Sequence, residues 1–295
     1  MRWWGWVAFA TLCGWAGSQW LLVPAGDPLP ALERQGLGFG VLSLAALVAR
    51  MLKRQRWRAG RSRLLGMVAG VSLLFFAVPM ALVERSREYA PDTSVAVVFA
   101  LAPVVAVLAV NAFLREEGEM RLLVPALAGF SGVLFLVPFD QPVSLRGWES
   151  VAELVAAMLL VVCAGVWLYE LLRQIGAIEG FAVAGASNAV ALLVWCGVRR
   201  QLDWRWSDMA GSVSMGSFAG VTALALTVWL VREMKPVRFS ARFLAIPLVT
   251  IMEGLVLLRP GVTGRTTVGI LLLMTGVVWM LAGKESAEGE TLTLR

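Results

Sequence analysis

Runs of about twenty apolar residues, parted by short polar connections, constrain this chain more than any other feature. Ten can be drawn, at 3–24, 31–52, 64–83, 93–114, 121–138, 150–172, 180–198, 209–231, 241–258 and 266–283. Each is long enough to cross the hydrocarbon core of a bilayer as a helix, which takes about 20 residues. Lipid offers no water to backbone N–H and C=O groups, so a helix that satisfies its own hydrogen bonds is the form such a run adopts. The expected fold class is an all-α integral membrane protein with ten transmembrane helices. Charge agrees: only 16% of residues are charged, against about 25% in soluble domains. No connection is long enough to hold a soluble domain, and 285–295 reads as a polar, acidic tail.

The net charge of +6 is carried mostly by the connections, where cations set orientation rather than bind nucleic acid. The second connection holds Arg50, Lys53, Arg54, Arg56, Arg58, Arg61 and Arg63; the eighth, VREMKPVRFSAR, holds four more. With both termini in the cytoplasm, 17 of the 26 cations fall on the inner side, as the positive-inside rule requires. The segment RRQLDWRW opposes this with three outer arginines. Tryptophans near helix ends, such as Trp3, Trp4 and Trp148, suit an interfacial belt. The N-terminal run is longer than a secretory h-region and is read as the first membrane helix. The implied setting is a bacterial inner membrane, with the lipid bilayer as one partner and nucleic acid excluded.

Histidine is absent, which removes the commonest general base and zinc ligand. Cys13, Cys163 and Cys196 stand far apart in apolar runs and read as small buried hydrophobes. No phosphate-binding GxxxxGKS/T loop occurs. Neither a cofactor, a metal nor catalytic residues are expected.

The runs also repeat. LAPVVAVLAVNAFLREEGEMRLLVPALAGFSGVLFL from 101 matches AIPLVTIMEGLVLLRPGVTGRTTVGILLLMTGVVWML from 245. Pro103 aligns with Pro247, Arg115 with Arg259, Arg121 with Arg265 and Gly132 with Gly276, each 144 residues on (247 minus 103). The expected organisation is two five-helix halves, 1–140 and 141–284. Five is odd, so the second half enters the membrane from the opposite side. Such inverted repeats build alternating-access transporters with a site between the halves.

In order and spacing, several segments resemble the EamA-type members of the drug/metabolite transporter superfamily. They are WAGSQW in the first helix, Arg34 opening the second, and TSVAVVFALAPVVAVL in the fourth. VWLYELLR in the sixth, FSARFLAIPL opening the ninth and VGILLLMTGVVW in the tenth complete the set. The resemblance runs over nearly the whole chain and implies a ten-helix bacterial permease of two five-helix repeats. Glu116 fits the acidic position after the first repeat proline, whereas Pro260 stands there in the second half. Pro125 replaces the glycine that Gly269 supplies in the second half. Substrates vary widely across the superfamily, from amino acids to other metabolites and drugs.

Polar groups inside membrane helices are costly and are functional candidates by default. Glu253 lies about six residues from the outer end of the ninth run, with Thr250, Ile246 and Leu257 on its face. Facing a wet cavity, it could hold a cationic amine or a proton; the alternatives are an ion pair with Arg34 or Arg259, or an outer vestibule. Trp15, Ser18, Gln19 and Leu22 share one face of the first helix by i, i+3, i+4, i+7 spacing. That set joins an aromatic plate to amide and hydroxyl groups. Trp167 and Tyr169 occupy the matching place in the second half. Asn111 and Asn188 lie deep enough to need partners and suit either substrate or helix–helix contact. Pro103 and Pro247 are candidate hinges. Gly216 and Gly220 form a GxxxG suited to close packing, within one chain or between two.

These features point to a secondary transporter, an exporter of an amino acid or related amphipathic metabolite, acting as a monomer or homodimer on a small-molecule substrate. Two other readings remain open at this stage. One is a non-transporting membrane scaffold, and the other a membrane enzyme acting on lipid-linked substrates, for which Glu116, Glu117 and Glu119 form the one acidic cluster.

Overall fold

The computed structural model describes residues 3–19, 30–54, 61–115, 117–137, 144–200, 202, 215–259 and 261–283. All regular structure among them is helical. Eight helical stretches are long and apolar enough to cross a membrane: 31–52, 62–86, 93–114, 119–136, 145–173, 177–198, 236–258 and 264–282. The chain is an all-α, multi-pass membrane protein. The other two expected spans are described in part, as helices α1 (Trp3–Gly17) and α10 (Met215–Glu233). Residues 20–24 and 209–214, the RRQLDWRW connection beyond Arg200 save Leu202, and the 285–295 tail lie outside the described residues.

The second span is α2 (Ala31–Leu52). The third is two helices, α3 (Ser62–Phe75) and α4 (Ala77–Ser86), broken at Phe76. Pro79 explains the break: it lacks an N–H, and its ring crowds the carbonyl of Phe75 four residues back. The fourth span is α5 (Asp92–Ala100) and α6 (Ala102–Leu114), broken at Leu101 just before Pro103. A 3₁₀ turn (Glu117–Leu122) leads into α7 (Leu123–Leu136); α8 (Leu145–Arg173) and α9 (Ala177–Val198) follow.

The ninth span differs from expectation at both its start and its hinge. It begins at Pro236, where proline at the first helical turn sacrifices no hydrogen bond, as the short α11 (Pro236–Ser240). It bends at Ala241 and continues as α12 (Arg242–Leu258), with Pro247 inside unbroken helix. Of the two candidate hinges, Pro103 therefore adjoins a break and Pro247 does not. The earlier start has a larger consequence. Arg238 and Arg242, counted above among loop cations, are drawn into the bundle, 8% and 9% exposed. The last helix is α13 (Gly264–Ala282).

Lipid is as apolar as leucine, so helices in a membrane associate through close van der Waals packing and shared hydrogen bonds. Two helix pairs dominate here, and both run antiparallel. A Cβ at Gly132 of α7 would lie 2.6 Å from Leu273 N and 2.7 Å from Gly269 O of α13. A Cβ at Gly276 of α13 would lie 2.6 Å from Gly129 Cα and 2.7 Å from Pro125 O of α7. Only hydrogen fits at either site. Residues 125, 129 and 132 stand 144 residues before 269, 273 and 276, so the contact maps onto itself when its two helices are exchanged.

α2 and α9 repeat the arrangement. A Cβ at Gly185 would come within 2.9 Å of Phe39 O and Ser43 Cβ, and Gly36 faces Leu192 and Leu193. Ser43 Oγ donates to Ala182 O at 2.9 Å. The GLGFG stretch of α2 thus serves helix packing. By contrast, a Cβ at Gly220 of the GxxxG would meet nothing within 4 Å. That glycine makes no close contact among the described residues.

Polar contacts at the helix ends sort the connections into two sets. Arg50 and Lys235 pair with Glu179 and Glu119, each at 3.1 Å, and Arg238 donates to Gly283 O. These tie the second connection to the sixth, and the fourth to the eighth and the C-terminal end. Elsewhere Arg85 pairs with Glu153 at 2.9 Å, and Arg265 Nε donates to Phe135 O at 2.8 Å.

Substituting Gly276→Val should lower stability by about 1–3 kcal/mol, the usual cost of overpacking a tight contact. Gly66→Ala, where a Cβ meets nothing within 4 Å, should be neutral or stabilise by up to about 1 kcal/mol. Thermal unfolding of the detergent-solubilised proteins distinguishes the two.

Candidate functional site

α12 presents two polar centres along one face. Arg242 and Glu253 are 11 residues apart (253 minus 242), which at 100° per residue brings them within about 20° of each other around the helix. Along the axis they are separated by about 16 Å. Thr250 lies beside Glu253 on this face.

The first centre joins α12 to α1 in the C-terminal half of the ninth span. Ser18 Oγ donates to the Glu253 carboxylate. Thr250 Oγ1 lies 3.0 Å from Gly17 O and 3.1 Å from its own Ile246 O, sharing its proton between them. Gly17 permits the approach. A Cβ there would lie 2.7 Å from Val249 Cγ1 and 3.2 Å from Ile246 O. Three predicted residues from opposite halves of the chain, Ser18, Thr250 and Glu253, thus meet at one point.

The second centre was not foreseen. Arg242 lies about 10 Å inside the span that starts at Pro236. Its guanidinium carbon sits 3.8 Å from the ring centre of Phe239, 4.7 Å from Phe243 and 5.6 Å from Phe75. Cation–π attraction of this kind offsets part of the cost of removing the charge from water. Gly165 of α8 makes room for the Phe75 ring, which would lie 3.0 Å from a Cβ there. Beside the guanidinium is a small cavity of about 20 Å³, lined also by Val162, Gly165, Met234 and Ser240. Arg242 Nη1 is buried without a hydrogen-bond partner among the described residues. The sequence does carry a signal for this residue. Lys-Pro at 235–236 starts the helix early enough to place Arg242 two turns inside it.

The remaining predicted residues do not join either centre. Asn188 is fully buried and closes the break in the third span. Its Oδ1 accepts from Ala77 N at 3.1 Å, and its Nδ2 donates to Ser72 Oγ at 3.2 Å and Ala184 O at 2.8 Å. Trp167 is 55% exposed on the flank of α8, against Phe113. Tyr169 accepts from Arg173 Nη1 at 2.9 Å at the end of the same helix. Asn111 is half-buried on α6, Trp15 is half-buried on α1, and Gln19 is exposed just past the end of α1. Leu22 lies outside the described residues.

No protein-family model matches the chain, and no curated protein matches it either. Among solved structures, one described only as the crystal structure of a protein aligns with 93% of this chain and 96% of its own. The TM-score is 0.69 and the identity 14%. The fold is shared with that structure over nearly the full length of both.

Asn188→Ala should cost about 1–3 kcal/mol, because it strands the buried Ala77 N–H and its other partners. Asn111→Ala, at a half-buried position, should stay within about 0.5 kcal/mol. Chemical or thermal unfolding in detergent measures both.

Proposed function

We propose that the chain is a secondary transporter of a bacterial inner membrane, exporting an amino acid or related amphipathic metabolite by alternating access. In this reading it has ten spans, arranged as two inverted five-helix repeats at 1–140 and 141–284. Both termini and the 285–295 tail are cytoplasmic. The observation that carries the reading is the reciprocal packing of the two halves. Equivalent helices lie antiparallel, α2 on α9 and α7 on α13, as halves inserted in opposite senses require. Other contacts answer one another too: α1 on α12 by α8 on α6, α1 on α10 by α8 on α3, and α2 on α10 by α9 on α3. α6 and α12 both end on an arginine in left-handed conformation, Arg115 and Arg259, 144 residues apart. The polar links at the helix ends join even-numbered connections to one another, and odd to odd, as ten spans demand. The resemblance to EamA-type permeases supports the same conclusion.

Inverted repeats transport by exchanging the conformations of their halves around a site between them. The first centre takes the role of an outer seal in such a cycle. The Gly17 contact brings α1 and α12 together, and Ser18 and Glu253 latch them. Release towards the outside parts these helices and exposes the Glu253 carboxylate to water or to a cationic amine. Thr250 keeps the register of the contact by bonding Gly17 O in the closed state.

Purified protein in proteoliposomes, given radiolabelled amino acids and amphipathic amines, should show protein-dependent flux. Glu253→Gln should slow it about tenfold, the scale of one lost charge-assisted hydrogen bond. Gly17→Leu, which wedges the seal open, should abolish flux while leaving substrate-induced thermal stabilisation in place. Substrate turnover to product without flux would overturn the transporter in favour of an enzyme. Absence of both, with a folded protein, would favour the scaffold.

A further inference from the structure

An arginine whose guanidinium is buried among phenylalanine rings poses a question of chemistry. Its planar fork carries five N–H donors. Among the described residues its Nη1 is buried and meets no hydrogen-bond acceptor, and no carboxylate pairs with the fork. Buried charges are ordinarily paired, because an unpaired one loses its hydration without recompense. The other buried arginines have partners: Arg50 pairs with Glu179 and Arg238 donates to Gly283 O, although each also keeps one buried nitrogen, Nη2 of Arg50 and Nε of Arg238, without a hydrogen bond among the described residues. Arg242 has aromatic faces around it and the cavity beside it. Rings stabilise the cation but accept no hydrogen bond along the edge of the fork. The neighbouring Ser240 hydroxyl donates to Val237 O at 2.6 Å and makes no hydrogen bond to the fork.

We propose that Arg242 is the binding site for a compact oxyanion, a carboxylate or phosphate group carried by a small solute, whose apolar remainder lies against the Phe75–Phe239–Phe243 cage. The guanidinium fork matches such a group with two parallel N–H···O bonds. The cavity of about 20 Å³ is the size of about one water molecule, so the ligand must displace a ring to enter. Phe75 is placed for that, being the last residue of α3 at the break before Pro79. The cavity is lined by both halves of the chain: Phe75 and Ala106 lie on α3 and α6 of the first, and Gly165, Val231, Phe239 and Arg242 on α8, α10, α11 and α12 of the second. An anion there bridges helices that alternating access moves apart. The ligand's role rests on the transporter reading; its chemistry rests on the cavity alone. Glu253 is about 16 Å away along α12, too far to grip the same small molecule, so the carboxylate end of an amino acid would be read here and its ammonium elsewhere.

The test is thermal stabilisation of the full-length protein in detergent by a matched series: phenylacetate, 2-phenylethanol, phenethylamine and inorganic phosphate. Phenylacetate at millimolar concentration should raise the unfolding midpoint saturably by mass action, phosphate should compete with it, and the alcohol and amine should do neither. R242Q should abolish the shift. R242K, which keeps the charge but not the fork, should weaken apparent affinity about tenfold, and it carries the test if R242Q fails to fold. Equal stabilisation by the alcohol or amine, a phenylacetate shift unchanged in R242Q or R242K, or no shift with any anion would overturn the proposal. Stabilisation by phosphatidylglycerol micelles with no effect of soluble anions would also overturn it, assigning the site to a lipid headgroup. Labelled phenylacetate in proteoliposomes separates the two readings. Binding through Arg242 without flux keeps the site and removes the transporter. Flux of amines without anion binding keeps the transporter and removes the site.

Discussion

Everything in this bundle depends on backbone meeting backbone where glycines allow it. Inside a bilayer no water is squeezed out when two helices meet, so apolar side chains alone do not hold them together. What holds is dispersion at short range, and that needs helices whose axes approach closely. Gly132 and Gly276 supply it between α7 and α13, Gly185 and Gly36 between α2 and α9, and Gly17 between α1 and α12. The first two contacts are buried deep in their pairs and bind the halves to each other. The third lies near a helix end, where it is backed by hydroxyl and carboxylate groups.

That frame sets the meaning of the polar residues. Asn188 satisfies a backbone N–H freed by the break at Phe76, and Ser72 completes the small network around it. A broken helix in a membrane must find such partners, because lipid provides none. Arg50 and Glu179 satisfy each other at a helix junction. Once these structural roles are assigned, two groups on α12 stand out. Glu253 joins the halves through Ser18, while the Arg242 fork meets rings and a cavity. Both lie on one face of α12, a helix that starts at the bend at Ala241 and carries an internal proline.

Much of the architecture was legible in the sequence, and the reasons are simple. Length and apolarity of a run are nearly sufficient to specify a membrane helix, so eight spans fall close to where they were expected. The matched prolines, arginines and glycines at one offset pointed to paired halves, and the glycines among them are the ones at the α7–α13 contact. Ser18, Thr250 and Glu253 were recoverable because a carboxylate in an apolar run is conspicuous. Periodicity failed where a residue's partner, rather than its own helix, decides its role. Trp167 has the right place in the repeat yet faces outward. Asn188 has the depth of a binding residue yet is consumed by a helix break 111 residues away. Arg242 was misread for a different reason. Cations near the end of an apolar run look like loop residues until the helix start is fixed at Pro236.

The sequence by itself determined that this chain is a helical, multi-pass membrane protein, because only helices of about this length satisfy their backbone in lipid. It also aligned Gly132 with Gly276 at the repeat offset, whereas Gly220 of the GxxxG it singled out for close packing is not at a tight contact: a Cβ there would meet nothing within 4 Å among the described residues. Tertiary structure decided which polar groups meet. It set Ser18 against Glu253 across 235 positions of chain, turned Trp167 away, and surrounded Arg242 with rings from α3, α11 and α12. Those outcomes depend on how helices rotate and cross when they pack, and no single helix carries that information in its own residues.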